Sequence, residues 1–330
     1  MIQLSLNITE VNKLENMRNF AACKKRVVEA LAYFDIFQYP LTSEEIRQFL
    51  SAKVDENFLQ DCLCELQEEK IIFLAHGFYS IQNNPLLAHR RRQGNQLAGK
   101  LLAKAFRIGR FLYQFPFVRA VGISGSLSKN YADEKADIDF FIITKANRLW
   151  IARTLMHLYK KITFLTGREH FHCMNYYIDE KALLLEEKNI FTAIEIKTLL
   201  PACGEQTIKL FFGINTWANE YLPACNYRRQ EKTDPRVSWL KKFLEWMLNG
   251  KPGDRLENYL FKLTQNRWKR KMEKGKRNKK GQTMDLITGK HFARSNPGAF
   301  QEKVLALYEQ KLSGLKQTGY RDNLIVSSVK

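Results

Sequence analysis

The chain lacks the marks of a membrane-spanning, secreted or disulfide-stapled protein. None of its apolar runs approaches the roughly 20 residues a helix needs to cross a bilayer. The first residues, MIQLSLNITEVNK, have neither a basic start nor an apolar signal core. The six cysteines (Cys23, Cys62, Cys64, Cys173, Cys203 and Cys225) are scattered with no C-x-x-C pair. That spacing argues against a disulfide framework and for reduced, mostly buried thiols. His170, His172 and Cys173 lie close together, but no second ligand pair is spaced to complete a zinc site. Cytoplasmic residence is the default expectation.

Acidic residues are the other shortage. Lys and Arg number 53 against 34 Asp and Glu, a net charge of +19. The excess is uneven, because residues 1–85 carry −4 and the remaining 245 carry +23. A surface that meets a polyanion is therefore expected outside the first 85 residues. With 45% apolar and 26% charged residues, a chain of 330 can fold into two or three domains, each with its own core. Nothing in the sequence sets the oligomeric state.

What is present centres on VGISGSLSKNYADEKADIDFFIIT, Val121 to Thr144. The apolar run Val118 to Ile123 leads into Ser124-Gly125-Ser126, and after ten intervening residues Asp137-Ile138-Asp139 opens a second apolar run, Phe140 to Ile143. The two runs read as short buried strands. On a strand, Asp137 and Asp139 point to the same side with Cα atoms roughly 6.5–7 Å apart. Two carboxylates so placed call for a cation or a donor, and a divalent metal is the economical partner. Gly125 lets backbone approach an anion closely, and Ser126 stands where a short helix, about Leu127 to Tyr131, begins. Lys129 adds a point charge within the same turn.

This pattern resembles the signature of the DNA polymerase beta-like nucleotidyltransferase superfamily. The resemblance covers roughly Val118 to Glu180. It implies that Asp137 and Asp139 hold Mg²⁺ (or Mn²⁺), that Gly125, Ser126 and Lys129 contact the triphosphate of an NTP, with ATP the default, and that an acceptor hydroxyl attacks the α-phosphorus. The superfamily adds a third carboxylate on a later strand. Here the run Phe171 to Ile178 offers Asn175 instead, and an amide is a poor base. Asp179, Glu180 and Glu195 are the substitutes in reach of the sequence.

Before this core, the residues up to about 20 read as a polar lead-in, and Lys24 to Phe37 as a helix stopped by Tyr39-Pro40. Thr42 to Glu45 forms a capping box for a second helix to about Leu50. A third helix, about Glu56 to Glu69, buries Phe58, Leu59, Cys62, Leu63 and Leu66, and a hairpin turns at His76-Gly77. Three helices and a hairpin resemble a winged helix-turn-helix. The segments YFDIFQYPLT and GSLSKN resemble a bacterial subfamily of nucleotidyltransferase-domain proteins. Asp55, Glu56, Asp61, Glu65, Glu68 and Glu69 make the third helix a poor match for DNA, so this module is expected to pack or to contact protein.

His89 to Arg110 reads as a helix with an apolar stripe and with Arg90, Arg91 and Arg92 solvated, the alternative being an arginine cluster that meets phosphate. Arg153, in a helix from about Asn147 to Leu165, is open to the same two readings. Ala182 to Leu185 suggests a strand, and Ile190 to Leu200 a helix ended by Pro201. Trp239 to Met247 is an amphipathic helix expected to pack its apolar face on its own domain, with an interfacial membrane helix as the alternative. Arg267 to Lys280 holds nine basic residues and one acid, a signal for RNA or another polyanion in which Trp268 can stack on a base. A final helix follows Asn296-Pro297, with Phe300, Val304, Leu305, Leu307 and Leu312 inward.

The expected architecture is α/β (α+β): a winged-helix domain over 1–85, a small mixed-sheet nucleotidyltransferase core over 86–226, and a basic helical C-terminal region over 227–330. The expected function is metal-dependent transfer of a nucleoside monophosphate to a hydroxyl on RNA, protein or a small molecule. The alternative is a catalytically weak nucleotide- or RNA-binding regulator on the same fold.

Overall fold

The computed structural model describes residues 8–317 except 135, 165–172, 230–232, 278–280, 282 and 284–285, and gives no side-chain detail for 8–18, 163–164 and 316–317. The chain divides into two compact units. One is built from residues up to 91, 219–226 and those from 302 on; the other comprises 92–218 and 227–301.

The first unit begins with α1 (Ile8–Asp35), longer than expected because helix runs back through the polar lead-in. Thr42 caps α2 (Ser43–Phe49) with the reciprocal Thr42–Glu45 box in place. Asp55 caps α3 (Glu56–Glu68), which buries Leu59, Cys62, Leu63 and Leu66. Strands β1 (Phe73–Ala75) and β2 (Phe78–Ser80) form the hairpin. His76 and Gly77 both have positive φ, 53° and 83°, as a two-residue primed turn requires.

Two expectations for this unit are corrected. Glu65 and Glu69 do not present bare charge, because Lys24, buried at the α1 surface, binds them at 2.8 and 2.6 Å. Of the arginine cluster, Arg92 is exposed as expected, but Arg90 and Arg91 are taken up by protein partners. Arg91 is buried, donates to Glu45 and the Pro40 carbonyl and lies 3.8 Å over the Tyr39 ring, while Arg90 donates to the carbonyls of Phe37 and Gln38. These arginines start α4 (Leu86–Leu112), whose Leu97, Leu101, Leu102 and Ile108 pack against the core of the second unit.

That core surrounds a six-stranded mixed sheet. Its strands are β3 (Val118–Ser124), β4 (Asp139–Thr144), β5 (Cys173–Asp179), β6 (Leu200–Cys203), β7 (Leu286–Thr288) and β8 (Phe292–Ser295), in the order β6-β3-β4-β5-β8-β7. The turn after β3 contains α5 (Gly125–Ser128), four residues and slightly earlier than expected. The pair β4–β5 is parallel and so needs a crossover, supplied by α6 (Leu149–Phe164); the other pairs are antiparallel. After β5, Ala182 to Leu185 is irregular rather than a strand. The next elements are α7 (Ile190–Thr198), then β6, α8 (Glu205–Ile214) and α9 (Ala218–Tyr221). Pro201 falls inside β6 instead of after a helix, on an edge strand where its missing N–H is tolerated.

The last third adds α10 (Trp239–Met247), α11 (Lys251–Glu273), β7, β8 and α12 (Phe300–Gln317). The basic run is helical through Glu273 within α11, and residues 278–280 of it lie outside the described residues. Strands β7 and β8 extend the sheet beyond β5, which no sequence pattern suggested. In α12, Val304 is buried but Phe300 and Leu307 are exposed, against expectation.

Helix α10 corrects the reading most sharply. Its apolar side chains face outward, and its polar side is the anchored one. Lys241 Nζ donates to the carbonyls of Tyr113 and Val118, each at 2.7 Å, and Glu245 accepts from the Phe117 N–H and twice from Arg119.

Helices α6 and α11 run side by side, joined by Glu257, whose carboxylate accepts the first N–H groups of α6 at Trp150 and Ile151. Under α6, Arg153 is buried against the rings of Trp150 and Tyr177, so it is neither a solvent charge nor a phosphate ligand. Beside it, burial first and then the charges of Arg153, Lys160 and Lys161 hold the His157 imidazole down to about 3. The folded ring thus stays neutral where an unfolded one, near 6.5, takes up a proton. Its contribution is complete above 6.5 and declines as pH falls toward 3. Urea unfolding between about pH 6.5 and 5 should therefore show an acid-dependent loss of up to about 1.4 kcal/mol per pH unit that His157→Phe removes.

Candidate functional site

The site is assembled where β3 and β4 end together, Ser124 opposite Asp139. Gly125 turns the chain with φ +68°, a backbone that side chains rarely adopt, and a Cβ there would lie 2.5 Å from Asp139 Oδ2, so a larger residue would displace the carboxylate. Ile138 is fully buried between half-buried Asp137 and Asp139. Asp137 precedes the strand rather than lying in it. Both charges reach Cys173 on β5: burial, then Asp139, pushes its thiol up to about 11, with Asp137 adding to the shift.

Strand β5 brings an amide, not an acid, to this point. Cys173 pairs with Asp139 in register, and Asn175 Nδ2 donates to Asp139 Oδ1 at 2.5 Å. Cys173 Sγ donates in turn to Asn175 Oδ1 at 3.2 Å. Asp179 and Glu180 are at the wrong end of the strand. Asp179 pairs with Thr144, about 16 Å along β4 from Asp139. It is buried, holding His291 Nδ1 at 2.8 Å and the N–H groups of Asn147 and Lys181, while Glu180 accepts from the Ala146 N–H.

Glu195, on α7, is the acid that does arrive. Its Oε2 lies 3.4 Å from the Gly125 N–H and its Oε1 2.7 Å from Lys129 Nζ. Lys129 also donates to the Gly125 carbonyl at 3.1 Å. Two donors assigned to triphosphate thus already hold a carboxylate. Ser126, the other phosphate candidate, is exposed on α5, and its carbonyl caps the turn by accepting from Lys129 and Tyr131.

Among the described residues no group of three or more His, Cys, Asp or Glu side chains is placed to hold a metal. His170 and His172 lie outside them. Mg²⁺ commonly takes only one or two protein carboxylates and completes its shell with water and substrate phosphate. With the Asn175 oxygen turned to Cys173, the carboxylates of Asp137 and Asp139 alone fit a cation that arrives with a nucleotide better than a resident one.

A cavity of about 270 Å³ opens from this corner. Ser124, Gly125, Asp139, Asn175 and Glu195 line one part of it, and Phe141, Tyr176, Phe191 and Phe300 supply aromatic wall. Arg294 of β8 also lines it and is paired with Glu187. Glu195 was named from sequence only as a stand-in acid, and Arg294 was missed, because neither lies in a local pattern with the β3–β4 turn.

No protein-family model matches the chain, and comparison with curated proteins and with solved structures returns no match. The site therefore rests on its own geometry. Asn175→Asp tests that geometry, since it replaces a donor to Asp139 with a like charge. Without divalent metal the variant should lose about 1–3 kcal/mol of stability, and Mn²⁺ should restore more of it than Mn²⁺ adds to the wild type, as read by thermal unfolding with and without chelator.

Proposed function

We propose that the protein is a metal-dependent nucleotidyltransferase of the polymerase beta-like kind, with the first unit's three helices and hairpin serving as a winged-helix module. The observation that carries the reading is the packing of the Ser124-Gly125 turn against Asp139 at the paired ends of β3 and β4, beside a cavity. Asp137 and Asp139 would hold Mg²⁺ or Mn²⁺. A metal held there would supply charge neutralisation for the triphosphate and would lower the pKa of an attacking hydroxyl. The Gly125 N–H and Lys129 receive phosphate oxygens when Glu195 yields them, and the exposed Ser126 hydroxyl stands at the same turn. Phe141 and Tyr176, with ring centroids 5.3 Å apart in the cavity wall, offer a surface for the base of an NTP, ATP being the default. The acceptor oxygen bonds to the α-phosphorus as the bond to the β-phosphate oxygen breaks and pyrophosphate leaves. The acceptor's proton goes to an aspartate, because Asn175 cannot take one.

RNA is the acceptor class that the surface favours. Arg267, Lys269 and Arg270 are exposed on α11, as is Lys274 at its C-cap. Lys271 lies over the Trp268 ring at 4.6 Å, and burial with the neighbouring cations Lys276, Lys161, Arg153 and Arg267 pulls it below the usual lysine range. From this basic face Lys160 reaches Cys173 at 3.6 Å, one hydrogen bond from Asn175 and two from Asp139. An anionic chain on the helices would therefore end near the reacting groups.

A second reading, a nucleotide- or RNA-binding regulator with little turnover, draws on Asn175 standing where the superfamily has its third carboxylate. Label transfer from α-labelled NTPs to fractionated cell RNA, protein and metabolites, with Mg²⁺ or Mn²⁺, separates the two. The enzyme reading expects labelled RNA and a loss of at least about 100-fold in Asp139→Asn. NTP binding without transfer to any fraction favours the regulator, and neither binding nor transfer removes both.

A further inference from the structure

Helix α10 presents an apolar ridge to solvent. Trp239, Leu240, Phe243, Trp246 and Met247 are all exposed, the two tryptophans at 76% and 75%. At helical spacing they form one continuous face, running from Trp246 through Trp239, Phe243 and Met247 to Leu240. Lys241 and Glu245 on the opposite face are held by the Tyr113 and Val118 carbonyls, the Phe117 N–H and Arg119. Rolling the helix to hide its tryptophans would strand a buried lysine and break a partly buried ion pair, so the outward face is the stable orientation.

Shape and charge select what covers this face. Indoles three-quarters exposed protrude, and a protruding ridge suits a surface that deforms around it. Lys242 flanks Trp246 on the helix, Lys251 and Arg255 follow at the start of α11, and all three are exposed. The whole chain carries +19. Such charge opposes a second copy that would lay the same ridge against its own, and it attracts an anionic surface. Tryptophan beside lysine settles at the headgroup level of a bilayer, the ring among the glycerol and upper acyl groups and the ammonium on lipid phosphate.

We propose that α10 docks the protein on an anionic lipid bilayer, with Trp239, Phe243 and Trp246 inserted and Lys242 on the headgroups. No described helix is long and apolar enough to cross a membrane, so the attachment is peripheral. The inference goes beyond nucleotidyl transfer and does not rest on it.

The test mixes the full chain with vesicles of phosphatidylcholine alone or with about one third phosphatidylglycerol, read by co-sedimentation and tryptophan emission. The anionic vesicles should sediment the protein and shift its emission to the blue, and neutral vesicles should bind at least about tenfold more weakly. Trp239→Ser/Trp246→Ser should lose at least about tenfold in vesicle affinity while keeping the wild-type unfolding temperature. Phe243→Ser serves as an independent variant should the double one fail to fold. Failure to bind anionic vesicles overturns the proposal, as does binding that the variants leave unchanged. Light scattering that finds a dimer lost in the double variant also overturns it, by assigning the ridge to a second copy.

Discussion

Asp139 is gripped on two sides, and the second unit is arranged to make that grip. On one side stands Gly125, where a Cβ would press on the carboxylate; on the other, Asn175 donates at 2.5 Å. The first contact needs β3 and β4 in one register, Ser124 opposite Asp139. The second needs β5 parallel to β4 with Cys173 at Asp139, and hence a crossover helix of the length of α6. A slip of one residue in the first pairing would send Asp139 to the opposite face of the sheet, and a slip in the second would do the same to Asn175.

A carboxylate held this way is poised for a cation but not alone with its charge. The Asn175 amide and the Lys129–Glu195 pair balance the corner in the absence of ligand. A polyphosphate bound as proposed would have to displace Glu195 from the Gly125 N–H and Lys129, exchanging one anion for another on the same donors. A metal that approaches Asp139 competes with the Asn175 donor. On the proposed function, the site would favour metal and nucleotide arriving together over either one singly.

Local chemistry made much of this legible in the sequence. The Thr42–Glu45 box, the His76-Gly77 turn and the two apolar runs around Gly125 and Asp139 are decided by neighbours in the chain, and each appears as the pattern implies. What was hidden depends on distant partners. Arg91 reads as a surface charge until Glu45 and Tyr39 are seen around it, and Arg153 until Trp150 and Tyr177 are. Strands β7 and β8 carry no alternation and gain their identity from the open edge of β5. Helix α10 shows the limit of periodicity: two faces were plain, but which one the protein buries was settled by Lys241 and Glu245, not by hydrophobicity. Glu195 lies 70 residues from Gly125, and no spacing rule joins them.

The most direct measurement is a crystal structure with Mn²⁺ and an NTP analogue that resists cleavage between the α- and β-phosphates, the metal placed by anomalous scattering. The account predicts Mn²⁺ on Asp137 and Asp139, phosphate oxygens on the Gly125 N–H and Lys129, and Glu195 moved off both donors. Nucleotide bound elsewhere, or metal held without Asp139, would contradict it.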